Sequence, residues 1–453
     1  MFNIKHTLRQ IALCLCLSTT PFAHANGPQS LEQFFAEYSK GFKSSGLQRD
    51  PELAYQKQIG NILGEKKHKE QARFLNNLLT QRKQLADKGK LENANACQKV
   101  QLAIIDFETH LLREKLKLVE AYQSLGTQAS ISDQGLASSS MGKAWYQYLR
   151  LSWLNADVSP EYLMAMGHAE LDRALAHYQR LQKNMGYEGR DADFSAHLRS
   201  SAFQYPDGTS PQADYEQRQA LIYQNLQRLF LPNQVQAPVI KASDRGMSFP
   251  VDGYYLPEEG AFYFNKAKSH YDRRSLDWLL LHESTPGHHF QNRYAVKHSA
   301  CANTVPHSSY SAYIEGWAAY VEEYGHELGL YQTEADELGA VEWNLVRSIR
   351  VILDVGINHM DWSDQQAHAF WQSKLPMLPE LADREIKRVR NWPAQAITYK
   401  LGAVKFRQLR DREQVRLGSQ FDIRQFHHDV LKFGPLPLDV LEQVLAQTQV
   451  QAH

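Results

Sequence analysis

The chain is expected to be mainly α-helical, a large helical fold with a small β-hairpin or sheet near its middle. Three observations predict this. Apolar residues recur at three- and four-residue steps over long stretches, and helix start and stop signals bracket several of them. One stretch, residues 234–265, breaks that period with Val, Ile, Tyr and Phe set among Gly and Pro.

Taken in order, residues 1–25 read as an export segment. Lys5 and Arg9 form a basic start, Ile11 to Phe22 an apolar centre, and Ala23-His24-Ala25 a small-residue cleavage site. Cleavage after Ala25 would deliver the chain to the periplasm or beyond. The apolar run is too short for a permanent anchor, and Cys14 and Cys16 each follow a leucine, which argues against lipid attachment. Cys97 and Cys301 remain. In an oxidising compartment they form either one disulfide or two separate thiols.

Residues 26–126 predict an N-terminal helical region. Phe74, Leu75, Leu78, Leu79 and Leu85 share one face, and Leu102, Ile105, Leu111, Leu112 and Leu116 another, so two long helices are expected to pair as a scaffold hairpin. Residues 127–141, rich in Ser, Gly and Gln, read as a linker loop. Residues 142–453 carry the chemistry. There Ser159-Pro160 opens a helix to about Met185, and Ser210-Pro211 opens another to Leu231. The expected sheet follows. Thr333 caps a long helix to about Asn358, and Ser363 with Gln366 forms a capping box.

Charge excludes some partners. Lys plus Arg number 50 and Asp plus Glu 50, so the formal net charge is zero. That removes the electrostatic case for nucleic acid or an anionic membrane, and no later apolar run predicts a stable membrane span.

The chemical signal is Leu279-Leu280-Leu281-His282-Glu283-Ser284-Thr285-Pro286-Gly287-His288-His289. Imidazoles and a carboxylate at the end of an apolar turn need a partner, and one divalent cation could serve them all. The usual zinc-peptidase spacing is His-Glu-x-x-His on one helix. Here Pro286 stands where the second histidine belongs. In an unbroken helix His289 would lie about 10 Å along the axis from His282. Pro286 and Gly287 instead predict a bend that folds His288 or His289 back, with Glu283 poised as base. Downstream, Tyr313-Ile314-Glu315-Gly316-Trp317-Ala318-Ala319-Tyr320-Val321-Glu322 reads as a helix that offers a third, carboxylate ligand.

These two segments resemble the bacterial family called domain of unknown function 885. Arg347 to Ile357, Pro393 to Gly402 and Phe426 to Leu438 resemble it too, so the likeness spans residues 150–445. That family is grouped with zinc-dependent peptidases of the His-Glu (gluzincin-like) type and is largely helical. The resemblance implies a metallopeptidase acting on peptides with Zn2+, held by His282, His288 and Glu315, and with Glu283 as general base. It favours His288 over His289, because the family pattern tolerates other residues at the second position.

Further roles lean on the same resemblance. Tyr399 could donate to a developing oxyanion; by itself it reads as a core aromatic. Arg347, Arg350 and Asp354 share a helix face. They form either an ion-paired surface or, as the resemblance implies, supports behind the ligands or a reader of substrate carboxylate, and in the last case the activity would be a carboxypeptidase. The family carries histidine where this chain has Asn358, so His359 is the candidate substitute. His427, His428 and Asp429 read as a structural cluster at a helix end. Two other classes stay open: a helical binding protein with a degenerate structural metal site, and a metal hydrolase of non-peptide amides or esters.

Overall fold

A computed structural model describes residue 28 and residues 30–47, 54–206, 208–243, 252–265, 271–298, 301 and 309–450. The expected export segment lies outside the described residues. Leu31–Ser44 (α1), Tyr55–Gly64 (α2), His68–Asp87 (α3) and Ala96–Gln123 (α4) open the chain. α1, α3 and α4 close on a small core of their own around Phe34, Tyr38, Leu78, Leu85 and Ile105. The α3 and α4 helices pair, and the Arg82 guanidinium forks onto Asp106 at 3.0 and 2.8 Å. The other face of α4, through Val100, Ile104, Leu111 and Leu118, belongs to the main core. Cys97, in the first turn of α4, is disulfide-bonded to Cys301 with Cα atoms 5.4 Å apart. Between α4 and the next helix, Leu136 is fully buried and its N–H meets Asn358 Oδ1 at 3.3 Å.

Four helices follow: Gly142–Leu154 (α5), Pro160–Asn184 (α6), Asp191–Leu198 (α7) and Gln212–Asn225 (α8). Ser159 caps α6 by accepting from the Tyr162 N–H, with Pro160 in the first turn, as the sequence predicts. The α8 helix stops at Asn225, short of the expected Leu231. There the Asn225 side chain donates back to the Leu221 carbonyl at 2.9 Å, and the chain tightens into a 3-10 turn that buries Leu226.

The sheet has three strands, Val239–Ser243 (β1), Gly253–Leu256 (β2) and Ala261–Asn265 (β3), in the order β1-β3-β2. β1 runs parallel to β3 and β2 antiparallel to it, with Tyr255 opposite Phe262. Phe262 and Phe264 turn inward against Tyr215 of α8.

Nine helices complete the described chain: Leu276–Glu283 (α9), His288–His298 (α10), Ser311–Val321 (α11), Glu334–Asn358 (α12), Asp364–Lys374 (α13), Ala382–Asn391 (α14), Ile397–Leu417 (α15), Ile423–Leu431 (α16) and Leu438–Val450 (α17). The architecture is therefore mainly α with a small mixed sheet. Thr333 with Asp336 and Ser363 with Gln366 form the capping boxes of α12 and α13.

Two helix pairs organise the interior. In α12 every residue from Leu345 to Asn358 is buried, as befits a helix packed on all sides. Arg347, Arg350 and Asp354 are thus interior charges rather than a solvated face. The α12 helix lies along α6. The second pair, α11 with α15, crosses where Gly316 meets Gly402: a Cβ added to Gly316 would sit 2.3 Å from the Gly402 Cα. Only two missing side chains permit that approach. It brings Glu315, one residue before Gly316, and Tyr399, three before Gly402, into the same neighbourhood.

Candidate metal centre

The α9 helix ends at Glu283, and α10 begins at His288. Between them the chain reverses through Ser284-Thr285-Pro286-Gly287, with a cis Thr285–Pro286 peptide. A Cβ on Gly287 would stand 1.9 Å from the His282 carbonyl oxygen, so the fold-back needs glycine there. The Trp317 indole N–H donates to the Pro286 carbonyl at 2.8 Å, tying the bend to α11. As a result the His282 and His288 rings stand 4.8 Å apart and nearly perpendicular. Their sequence separation alone would have set them far apart on a straight helix.

Glu315 closes the cluster. Its Oε2 lies 3.5 Å from His282 Nε2 and 3.5 Å from His288 Nε2. Those distances are long for hydrogen bonds, but they match the edge of a tetrahedron, about 3.3 Å, around a zinc ion with bonds of about 2.0–2.1 Å. Two imidazole nitrogens and one carboxylate are also the donor set of a catalytic zinc site. By both tests these residues fit such an ion. Ligating atoms of His282, Glu283 and His288 lie within 4.8 Å of one another. Glu283 thus stands beside both imidazoles, and the backbone of Tyr255 on β2 also favours its carboxylate form.

His289 points elsewhere. Its Nε2 meets the Gln236 carbonyl at 2.7 Å and its Nδ1 the Tyr255 hydroxyl at 3.2 Å, so it fastens α10 to the strand region. His359, at the C-terminal end of α12, is not brought to the cluster. It lies twelve residues past Arg347, about 18 Å along the axis, among Tyr146, Lys143, Glu161 and Arg150. Asn358, which replaces the family's histidine, is a buried strut that donates to the Val389 carbonyl at 3.0 Å. His427 is packed on Phe230, with Nδ1 to the Leu229 carbonyl at 2.9 Å, and His428 reaches the Tyr294 hydroxyl at 2.9 Å. Both are structural.

Behind the imidazoles stand Glu322, which the sequence places beside Glu315 without a role, and Arg347, for which a supporting role is one expectation. His282 Nδ1 donates to Glu322 Oε1 at 2.7 Å, and Arg347 Nη1 donates to Glu322 Oε2 at 2.5 Å. The Arg347 Nη2 contact to the same imidazole nitrogen, at 3.4 Å, is the weaker of the two at that atom. A carboxylate on the far nitrogen fixes the tautomer that turns Nε2 toward Glu315. The signal was present: Glu322 follows Glu315 by seven residues, two helical turns, on one face.

Charge states follow from burial and these contacts. Burial alone would lower His282, yet Glu315 and Glu322 lift it to about 9. Burial raises Glu283, against the pull of His288 and His282. Burial would also raise Glu315 and Glu322, but His282 and His288 hold the first, and Arg347 with His282 the second, below the usual carboxylate range.

Tyr399 forms the opposite wall. Its ring stacks 6.2 Å from that of His282. Guanidinium carbons of Arg347, Arg350 and Arg388 lie 5.7, 5.9 and 5.6 Å from the Tyr399 ring. The Arg388 Nη2 donates to the Tyr399 hydroxyl oxygen at 3.3 Å. Burial and the Glu315 carboxylate push the phenol above its ordinary value, so its proton stays in place. Arg350, expected to act directly, is buried and donates through Nε to Glu385 at 2.7 Å. Its charge is already answered. Arg388 and Glu385 had no sequence signal, because Ala382–Asn391 is a short, strongly charged helix that reads as surface.

The model of the family described as bacterial protein of unknown function, DUF885, matches residues 25–445. The chain belongs to the DUF885 family. The match reaches well beyond residues 150–445, so the N-terminal helices are part of the family's unit. No curated protein sequence matches this DUF885 chain. Among solved structures it is similar in fold to a candidate lipoprotein from Colwellia psychrerythraea, at 20% identity over 86% of this chain and 78% of that one, TM-score 0.65. A candidate lipoprotein of unknown function from Shewanella oneidensis shares 16% identity over 92% of this chain and 73% of that one, TM-score 0.58. Trypanosoma cruzi metallocarboxypeptidase 1 overlaps at 11% identity over 92% and 95%, with a TM-score of 0.47, too distant to bear on function. Among the described residues no helix is long and apolar enough to cross a membrane.

Proposed function

We propose that this DUF885 protein is a zinc-dependent hydrolase of peptide bonds in peptides or oligopeptides. The observation that carries the reading is Glu315 Oε2 standing 3.5 Å from both His282 Nε2 and His288 Nε2. His282, His288 and Glu315 would hold the ion, and Glu322 would orient His282. A bound zinc ion supplies Lewis acidity toward a carbonyl and lowers the pKa of water toward about 7.

The chain's own residues do the rest. Glu283 takes the proton of the attacking water and later delivers it to the leaving amine; its raised affinity for a proton suits both halves. Tyr399 donates its O–H toward the oxyanion that develops on the scissile carbonyl, while its oxygen accepts from Arg388. β2 is an edge strand of the sheet, and its outward main-chain groups would offer hydrogen bonds to an extended peptide. The Cys97–Cys301 disulfide fits an oxidising compartment, in keeping with the export segment read at residues 1–25.

The test is zinc-loaded protein incubated with a mixed peptide pool, with and without a chelator, and analysed by mass spectrometry. Chelator-sensitive cleavage is expected. Stoichiometric metal with no turnover of any peptide would contradict the reading.

A further inference from the structure

The three guanidinium groups around Tyr399 are not equivalent. Arg347 gives its charge to Glu322, through Nη1 at 2.5 Å, and Arg350 gives its charge to Glu385, through Nε at 2.7 Å. Both are almost fully buried, at 4% and 2% exposure. Neither has a free charge to offer a ligand. Arg388 differs on both counts. It is partly exposed, and its hydrogen bonds run to neutral oxygens: Gln395 Oε1 from Nε and Nη2 at 3.3 and 3.1 Å, and the Tyr399 hydroxyl from Nη2 at 3.3 Å. Among the described residues no carboxylate forms an ion pair with it. Glu385, the nearest acidic neighbour on its own helix, is already shared by Arg350 and Arg384.

A cation held rigid by an amide and a phenol, near Glu385 and Glu315 but ion-paired with neither, is prepared for an anion from outside. Among the described residues Nη1 makes no hydrogen bond, which leaves both its N–H donors for that anion. The planar fork favours a carboxylate. Tyr399 fixes the distance scale, because one hydroxyl touches both Arg388 and, in the reading above, the scissile carbonyl oxygen. A carboxylate on Arg388 therefore lies about one residue of extended chain, about 3.5 Å, beyond the bond to be cut.

We infer that Arg388 binds the free C-terminal carboxylate of the substrate, so that the enzyme removes residues from peptide C-termini. This rests on the hydrolase reading above and narrows it. It also moves the carboxylate-reading role from Arg347 and Arg350, where sequence put it, to an arginine of α14.

The experiment uses the zinc-loaded full chain and one N-acetylated peptide pool prepared twice, as free acids and as C-terminal amides. Acids are expected to lose single C-terminal residues, with kcat/KM about 100-fold above that of the amides, the scale of a lost charge-assisted contact. In Arg388→Met that preference is expected to shrink to a few-fold, chiefly through KM, and Arg388→Lys should recover part of it. Calorimetric binding of an N-acetylated, non-hydrolysed D-peptide acid against its amide should show the same order without turnover. Equal cleavage of acids and amides, or internal cuts in both, would overturn the assignment and leave the hydrolase intact. Cleavage of neither pool would remove the hydrolase reading and this one with it.

Discussion

The candidate site has two walls of opposite character. One, on α9, α10, α11 and the turn after α11, gathers imidazoles and carboxylates: His282, His288, Glu315, Glu283 and, behind them, Glu322. Its donor set fits a divalent cation. The other, on α12, α14 and α15, sets Arg347, Arg350 and Arg388 around the ring of Tyr399. Of the three, Arg347 and Arg350 are ion-paired with Glu322 and Glu385, and Arg388 forms no ion pair among the described residues. Glu322 joins them, since it accepts from His282 on one side and Arg347 on the other. Each wall polarises the other, and a carbonyl lying between them would be drawn toward negative charge on its oxygen from both directions.

Disabling the first wall should cost most. Glu283→Gln removes the proton acceptor while keeping the size and the Tyr255 contact. It is expected to lower kcat by about 10^3- to 10^4-fold with bound metal unchanged, read by peptide turnover alongside metal analysis. Unaltered kcat in a metal-loaded variant would remove Glu283 as base. On the second wall, Tyr399→Phe deletes one oxyanion donor. A fall of about 10^2- to 10^3-fold in kcat, with KM little changed, is expected from steady-state kinetics. A change confined to KM would assign Tyr399 to binding instead.

The bridge between the walls has a smaller effect. Glu322→Ala should weaken metal affinity by about 10- to 100-fold, measured by competition with a chelating dye, because His282 loses its orienting acceptor. Arg347 would at the same time lose its counter-charge, so thermal stability is expected to drop as well. If metal affinity stays constant, the His282–Glu322 bond is only a packing contact.

These two walls were unequally legible. The cation wall lies within His282 to Glu322, and its members announce themselves by helix spacing and by a proline-glycine break. The bend could be expected from Pro286 and Gly287, and the closeness of His288 follows from it. What spacing could not tell is that His289 turns to Gln236; that depends on where the strand region lies. The arginine wall draws its parts from three helices, and a charged side chain on a helix carries no sign of its partner. Arg350 therefore read as a catalytic candidate, although Glu385 of α14 engages it, and Arg388 was invisible. His359 failed to join the site because it stands about 18 Å along the α12 axis from Arg347, and Asn358 beside it likewise meets Val389 and Leu136 rather than the cluster. The helical fold was legible because periodicity and caps are local. Among the described residues the largest shift was the end of α8, at Asn225, where tertiary contact tightened the last turn.

The mildest test addresses the support behind the arginine wall. Asp354 accepts from the Ala394 N–H at 2.9 Å and from the Tyr146 hydroxyl at 2.8 Å, which fixes the chain leading into α15 and Tyr399. Burial raises its carboxyl to about 7, against the pull of those donors. The folded protein thus keeps this proton where the unfolded chain, with a carboxyl near 3.9, has released it. Its contribution to stability should fall as pH rises from about 4 to about 7, by about 1.4 kcal/mol per pH unit. Asp354→Asn should flatten that slope in urea unfolding curves taken across the range. An unchanged slope would mean the group titrates normally.

The most direct test of the two-wall site is metal stoichiometry, measured by mass spectrometry on purified full-length protein. One zinc per chain is expected in the wild type. Glu315→Ala and His288→Ala should each bind far less than one, while His289→Ala should keep the full complement. If the wild type holds no stoichiometric divalent ion after zinc loading, or if Glu315→Ala holds it as firmly as the wild type, the His282–His288–Glu315 centre does not exist.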